Sequence, residues 1–125
     1  MVNNRVEIRP ATRHDIKYFF GDKMRDCCRA WSAFYDGELV AIGGVAITRH
    51  LMLVFMKMNL KSKVPNITIW RASIKIWDKI KSIGYPILYA VADNDMLTAP
   101  NFLKRIGFEQ ISYDEEKRVF RWQIH

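Results

Sequence analysis

Apolar and polar residues change their spacing several times along the chain, and each change marks an element. Val6-Glu7-Ile8-Arg9 alternates with a period of two, as a half-buried strand does, and Pro10 stops it. Thr12 then stands before a helix start, with Asp15 as the acidic residue at the third helical position, a capping arrangement. Ile16, Phe19 and Phe20 give that helix a buried face, and Gly21 ends it. Residues 22–29 are charged and read either as a short second helix or as a loop. Residues 30–35 form a strand, Asp36-Gly37 a tight turn, and residues 39–47 the returning strand of an antiparallel hairpin. Gly43-Gly44 within it marks a bulge or a close contact, more often a bulge. The apolar run over 51–60 fits a central strand buried on both faces.

After the polar connection 61–66 the period lengthens. Trp70, Ile74, Trp77, Ile80 and Ile83 recur at intervals of three and four, which predicts a helix buried on that face. Arg71, Lys75, Asp78, Lys79 and Lys81 fall mostly on its other faces, and Gly84 and Pro86 end it. Residues 87–92 read as a strand, so strand, helix and strand form a crossover with parallel pairing. Thr98 or Asn94 caps a further helix with Pro100 in its first turn, and Gly107 stops it. Residues 108–113 and 118–124 are two more strands. The order β-α-(α)-β-β-β-α-β-α-β-β predicts an α+β domain over 1–125: a mixed sheet of about six or seven strands covered by three or four helices.

Composition narrows the function classes. Half of the 125 residues are hydrophobic, which supports a folded core in a single domain. The most apolar stretch, 51–58, is interrupted by Lys57 and is far shorter than the roughly 20 residues of a membrane span. With no apolar leader after Met1, a cytoplasmic protein is the expectation. Cys27 and Cys28 are adjacent and His14, His50 and His125 are scattered, so no metal site is expected. The net charge of +7 admits nucleic acid, an acidic protein or a phosphate-rich cofactor as partner. The cations fall in three separate groups, however, not in one dense run, and a solvated basic surface explains them as well.

Three segments resemble the GNAT superfamily of acyl-CoA-dependent N-acyltransferases. Ile8-Arg9-Pro10-Ala11-Thr12 with Asp15-Ile16 looks like its opening strand and helix. Residues 36–44, DGELVAIGG, are similar to its hairpin, in which a turn leads to a strand ending in glycine. Residues 99–108, APNFLKRIGF, match its last helix and the Gly-Phe that follows, with Asn94 a few residues upstream. Within the superfamily the short chain is most similar to small acetyltransferase-like proteins of tailed phages, some of them internal virion proteins.

The resemblance implies a fourth and a fifth strand that splay apart around the pantetheine arm of acetyl-CoA. It also implies a following loop and helix start that hold the pyrophosphate with backbone N–H groups. The residues it assigns to the cofactor are Met58, Asn59, Leu60, Lys61, Ser62, Lys63, Asn66, Ile67, Asn94 and Phe102. It implies an amine acceptor as second substrate, and a location in the host cytoplasm or in a virion.

Three departures bear on catalysis. The loop 61–67 has no glycine, and Pro65 removes one donor. Leu103 occupies the position where many members have a proton-donating tyrosine. The run 51–60 has no carboxylate to act as general base, which leaves Asp93 and Asp95 as the nearest candidates. Three function classes follow: an N-acetyltransferase, a catalytically inactive structural or interaction protein of a phage particle, and a basic nucleic-acid-binding protein. The edge near 118–124 also admits a homodimer.

Overall fold

The computed structural model describes residues 6–21, 28–48, 51–59, 61–93, 99–113 and 117–123. Seven strands form one mixed sheet in the order β1-β2-β3-β4-β5-β7-β6. They are β1 (Val6–Pro10), β2 (Cys28–Tyr35), β3 (Glu38–Thr48), β4 (Leu51–Met58), β5 (Ile87–Asp93), β6 (Glu109–Tyr113) and β7 (Lys117–Gln123). Three helices accompany them among the described residues: α1 (Arg13–Phe20), α2 (Asn66–Ser82) and α3 (Ala99–Arg105). All neighbouring strands are antiparallel except β4 and β5, which the α2 crossover makes parallel.

The β2–β3 hairpin closes through Asp36 and Gly37, both at positive φ (50° and 84°). That pair of angles suits the right-handed twist of the flanking strands, and Asp-Gly adopts it at low cost. The bulge of this hairpin is not at Gly43-Gly44 as the sequence predicts. The register shifts between Ala33 and Phe34, opposite Val40, while both glycines pair regularly. Their role is close approach. A β-carbon on Gly44 would fall 2.2 Å from the backbone oxygen of Arg29, and one on Gly43 would meet Met56 and Ile76.

The sequence places the doubly buried strand at β4, but β3 is that strand. Val40, Ala41, Ile42 and Val45 are all at most 3% exposed. Among the β4 residues whose burial is described, 52–58, only Val54 is buried, and Lys57 is exposed. The reason is that β4 has a close neighbour on one side only for much of its length. Strand β2 begins at Cys28, so Cys28 and Arg29 extend the sheet, pairing with Ala46 and Val45. The rest of the segment read as a second helix or loop, residues 22–27, lies outside the described residues. Pro10 closes β1 from inside it, opposite Trp31, on an edge strand where its missing N–H costs no ladder bond.

Helix α2 covers one face of the sheet. Its buried face is Ile69, Ala72, Ser73, Ile76, Trp77 and Ile80, rotated from the expected one. Ile74 is 37% exposed. Small residues cause the rotation: Ala72 and Ser73 let the helix axis approach the sheet, and Ser73 Oγ satisfies itself by donating to the Ile69 carbonyl at 2.9 Å. Trp77 packs on Phe108 and edge-on against Trp122, which fixes the far end of the helix to the second half of the sheet.

Helix α1 lies over the opposite face. Thr12 and Asp15 form the capping box the sequence predicts, and Gly21 caps the C-terminus at φ 61°. Ile16, Phe19 and Phe20 are half-buried, and the buried residue of α1 is Asp15. Its Oδ2 accepts from Ser32 Oγ at 2.9 Å and from the Thr12 N–H at 3.0 Å, which ties the helix start to β2. At the other end Phe20 meets Phe55 edge-on, and Lys57 Nζ donates to the Phe19 carbonyl.

Candidate functional site

The parallel pair β4 and β5 is joined over two registered residue pairs, Leu53–Tyr89 and Val54–Ala90. Beyond them the strands follow different partners. β4 stays with β3 as far as Met58–Ala41, and β5 stays with β7 as far as Asp93–Lys117. A wedge therefore opens between the C-terminal halves of the two strands. In a sheet, such a wedge leaves main-chain N–H and C=O groups of β4 and β5 without ladder partners.

The connection from β4 to α2 leads away from the mouth of this wedge. Asn59 anchors it: its N–H donates to the Val40 carbonyl at 2.8 Å and its Nδ2 to the Leu39 carbonyl at 3.4 Å. Ser62 N–H donates to the Asn59 carbonyl, and Ser62 Oγ accepts from the Val64 N–H. Pro65 is the N-cap residue of α2 and provides no side-chain hydrogen bond to the helix. The helix start has no acidic residue in its first turn. Lys61, Lys63, Asn66 and Ile67 are all exposed, Ile67 at 60%. An uncapped helix N-terminus of 17 residues with two lysines before it is an electropositive feature.

The other residues assigned from sequence fall as follows. Met58 ends β4 and is half-buried against the core. Phe102 is 2% exposed and meets Trp70 edge-on, with ring centroids 5.0 Å apart. Leu103 is 6% exposed within the main hydrophobic cluster. Asp93 is the last residue of β5. Leu60, Asn94 and Asp95 lie outside the described residues. Asn59, Lys61 and Ser62 thus lie together on the connection that leads to α2, on its β3 side, whereas Phe102 packs on Trp70 of α2 and Asp93 ends β5.

A cavity of about 430 Å³ lies on the β3 side of β4. Asp15 and Tyr18 of α1 line it, with Glu38 and Leu39 beyond the hairpin turn and Asn59 and Lys61 after β4. No local sequence signal marks it, because its walls come from three segments that only the folded sheet brings together. No group of residues with a metal-binding composition occurs among the described residues.

Neither a protein-family model nor a curated protein sequence matches the chain. Solved structures do match, over nearly the full length of both partners. An IAA acetyltransferase from Bacillus cereus superposes with a TM-score of 0.71 at 12% identity, covering 95% of this chain and 99% of that one. The ribosomal-protein-S18-alanine N-acetyltransferase from Escherichia coli gives 0.69 at 11% identity, covering 95% and 94%. A GNAT family acetyltransferase from Elizabethkingia anophelis, solved with acetyl-CoA bound, gives 0.69 at 11%, covering 98% and 100%. With its mixed seven-stranded sheet and its parting of β4 from β5, the chain has the fold of the GNAT acetyltransferases.

Proposed function

We propose that the protein binds acetyl-CoA in the wedge between β4 and β5 and transfers the acetyl group to an amine. The observation that carries this reading is the loss of β4–β5 pairing after Val54–Ala90, with an uncapped helix start at the end of the connection that follows β4. The residues fit the cofactor in two respects. The unpaired edge of β4, ending at Met58, presents main-chain groups that an extended amide arm can use as a sheet neighbour would. The N–H groups of Asn66 and Ile67, with Lys61 and Lys63, supply donors and positive charge for phosphates. Asn59 and Ser62 hold the connection in shape, and the family resemblance adds Leu60 and Asn94 to the cofactor contacts.

The bound cofactor supplies its acyl group as a thioester, which an amine nitrogen takes as the C–S bond breaks and a thiol is released. The chain contributes chiefly position. Asp93, the last residue of β5, or Asp95, two positions on in the sequence, receives the proton lost by the amine. Leu103 has no proton to give the departing sulfur, so that proton comes from solvent. Alignment of the reactants accounts for a large part of the barrier reduction in such reactions, and a strand edge achieves it without a side-chain acid. Titrating acetyl-CoA into the protein by calorimetry tests the reading. Heat of binding, and thiol release in the presence of an amine panel, support it; no heat and no thermal shift at millimolar acetyl-CoA defeat it.

A second reading has its own observation. Pro65 as N-cap, a loop without glycine and Leu103 in the core are what a GNAT-shaped protein without turnover would carry. That protein would act by interaction, for instance within a phage particle. Binding of acetyl-CoA with no thiol release above background across the amine panel selects this second reading.

A further inference from the structure

Among the described residues the cavity beside β4 is lined by none of β5 or α3; it lies on the β3 side of β4 and shares Asn59, Lys61 and Ser62 with the connection to α2. Its charges are arranged in an unusual way. On the α1 wall Asp15 is a carboxylate only 7% exposed. Both hydrogen bonds it accepts, from Ser32 Oγ and the Thr12 N–H, fall on Oδ2. Among the described residues nothing donates to its other oxygen, Oδ1. Burial of a carboxylate is costly, and a free oxygen of one that lines a cavity is a strong acceptor there. On the hairpin wall Glu38 adds a second carboxylate, and on the β4 wall Lys61 provides an ammonium group. Glu38 and Lys61 form no ion pair within 4.0 Å with each other or with any described residue.

The cavity thus presents a carboxylate on two walls, Asp15 standing beside His14 in the first turn of α1, and an ammonium on the third. We propose that it binds a free α-amino acid. The ligand's ammonium group donates to Asp15 Oδ1 and lies near Glu38, and its carboxylate faces Lys61 and the Asn59 side. Tyr18 and Leu39 give its side chain an apolar surface. The volume of about 430 Å³ is at the small end of the range for small-molecule sites, about 300–1,000 Å³. An anion alone would meet the two carboxylates, and a simple cation would meet Lys61, whereas a dipolar molecule places a charge of the right sign against each of these groups. The proposal concerns binding and stands whether or not the protein transfers acyl groups.

Calorimetric titration of the full chain with each of the common L-amino acids, in the absence of acetyl-CoA, tests it. At least one amino acid binds with a dissociation constant of about 1 mM or tighter. Its N-acetylated form and its methyl ester, which lack one charge each, bind at least about tenfold more weakly. Glu38→Gln and Lys61→Glu change exposed side chains, so they leave the circular dichroism spectrum unchanged and each weakens binding. Asp15→Asn keeps an acceptor for Ser32 and Thr12 but removes the charge, and it weakens binding most. The proposal is overturned if no amino acid binds at about 10 mM. It is equally overturned if the N-acetylated form and ester bind as well as the parent, or if Glu38→Gln and Lys61→Glu leave the affinity unchanged.

Discussion

Gly43 and Met56 face each other across β3 and β4 so closely that a β-carbon on the glycine would lie 2.6 Å from the Met56 sulfur and 2.8 Å from Ile76 Cγ2. Overpacking of this kind costs about 1–3 kcal/mol, so Gly43→Ala lowers stability by that amount in urea unfolding. Because the nearest atoms belong to a flexible methionine, Met56→Ala in the same chain recovers part of the loss. The double variant is less destabilised than the sum of the singles by at least about 0.5 kcal/mol. Gly44→Ala meets backbone instead of a side chain and is the more damaging of the two single changes.

Ser32→Ala removes the one side-chain donor to Asp15 while leaving the carboxylate buried. Oδ2 keeps its bond from the Thr12 N–H, so stability falls by about 1.5–3 kcal/mol, the worth of one hydrogen bond to a charged group. Because the bond joins α1 to β2, hydrogen exchange of the α1 amides rises more than that of α2, and equal rises in both helices would refute the assignment.

The rotated face of α2 predicts opposite outcomes for two isoleucines two positions apart. Ile76→Ala, at 0% exposure, costs about 2–5 kcal/mol. Ile74→Ala, at 37% exposure, changes stability by no more than about 0.5 kcal/mol. Thermal unfolding of the two variants side by side distinguishes this face from the one centred on Trp70 and Ile74.

Asn66→Asp places a negative charge in the first turn of α2. It interacts favourably with the helix dipole and raises stability by about 0.3–1 kcal/mol. The same charge opposes phosphate at that position, so affinity for acetyl-CoA falls as stability rises. Calorimetry and thermal unfolding of one variant read both effects, and an unchanged acetyl-CoA affinity would count against the α2 start as a phosphate site.

Local chemistry made much of this fold legible in the sequence. Asp36-Gly37, the Thr12–Asp15 capping box and Gly21 each act within a few residues, and each is where the pattern predicts it. Burial was less legible because it depends on which elements meet. Periodicity counts Ile74 as core and passes over Ala72 and Ser73, because their contribution is to be small where the helix approaches Gly43. The apolar run points to β4 as the doubly buried strand, whereas neighbours on both sides decide burial, and β3 has them. The glycine pair was legible as special but not as to kind, since a bulge and a close approach both call for glycine. The cavity lined by Asp15, Glu38 and Lys61 had no local signal, because each residue on its own reads as an ordinary cap, turn or loop residue.

The strand order has a consequence for the sequence of events in folding. β7 lies between β5 and β6 although it follows both in the chain, and β6 pairs with β7 alone. As the chain emerges from a ribosome, the β1–β4 half of the sheet can close early from hairpins. Residues 109–113 have no strand to join, and Trp77 lacks its Trp122 partner, until 117–123 arrive. The chain therefore carries an open β5 edge from the time residues 87–93 are made until 117–123 join them, the kind of surface that recruits chaperones or strays into aggregation. A single late strand closes that edge and gives β6 its place.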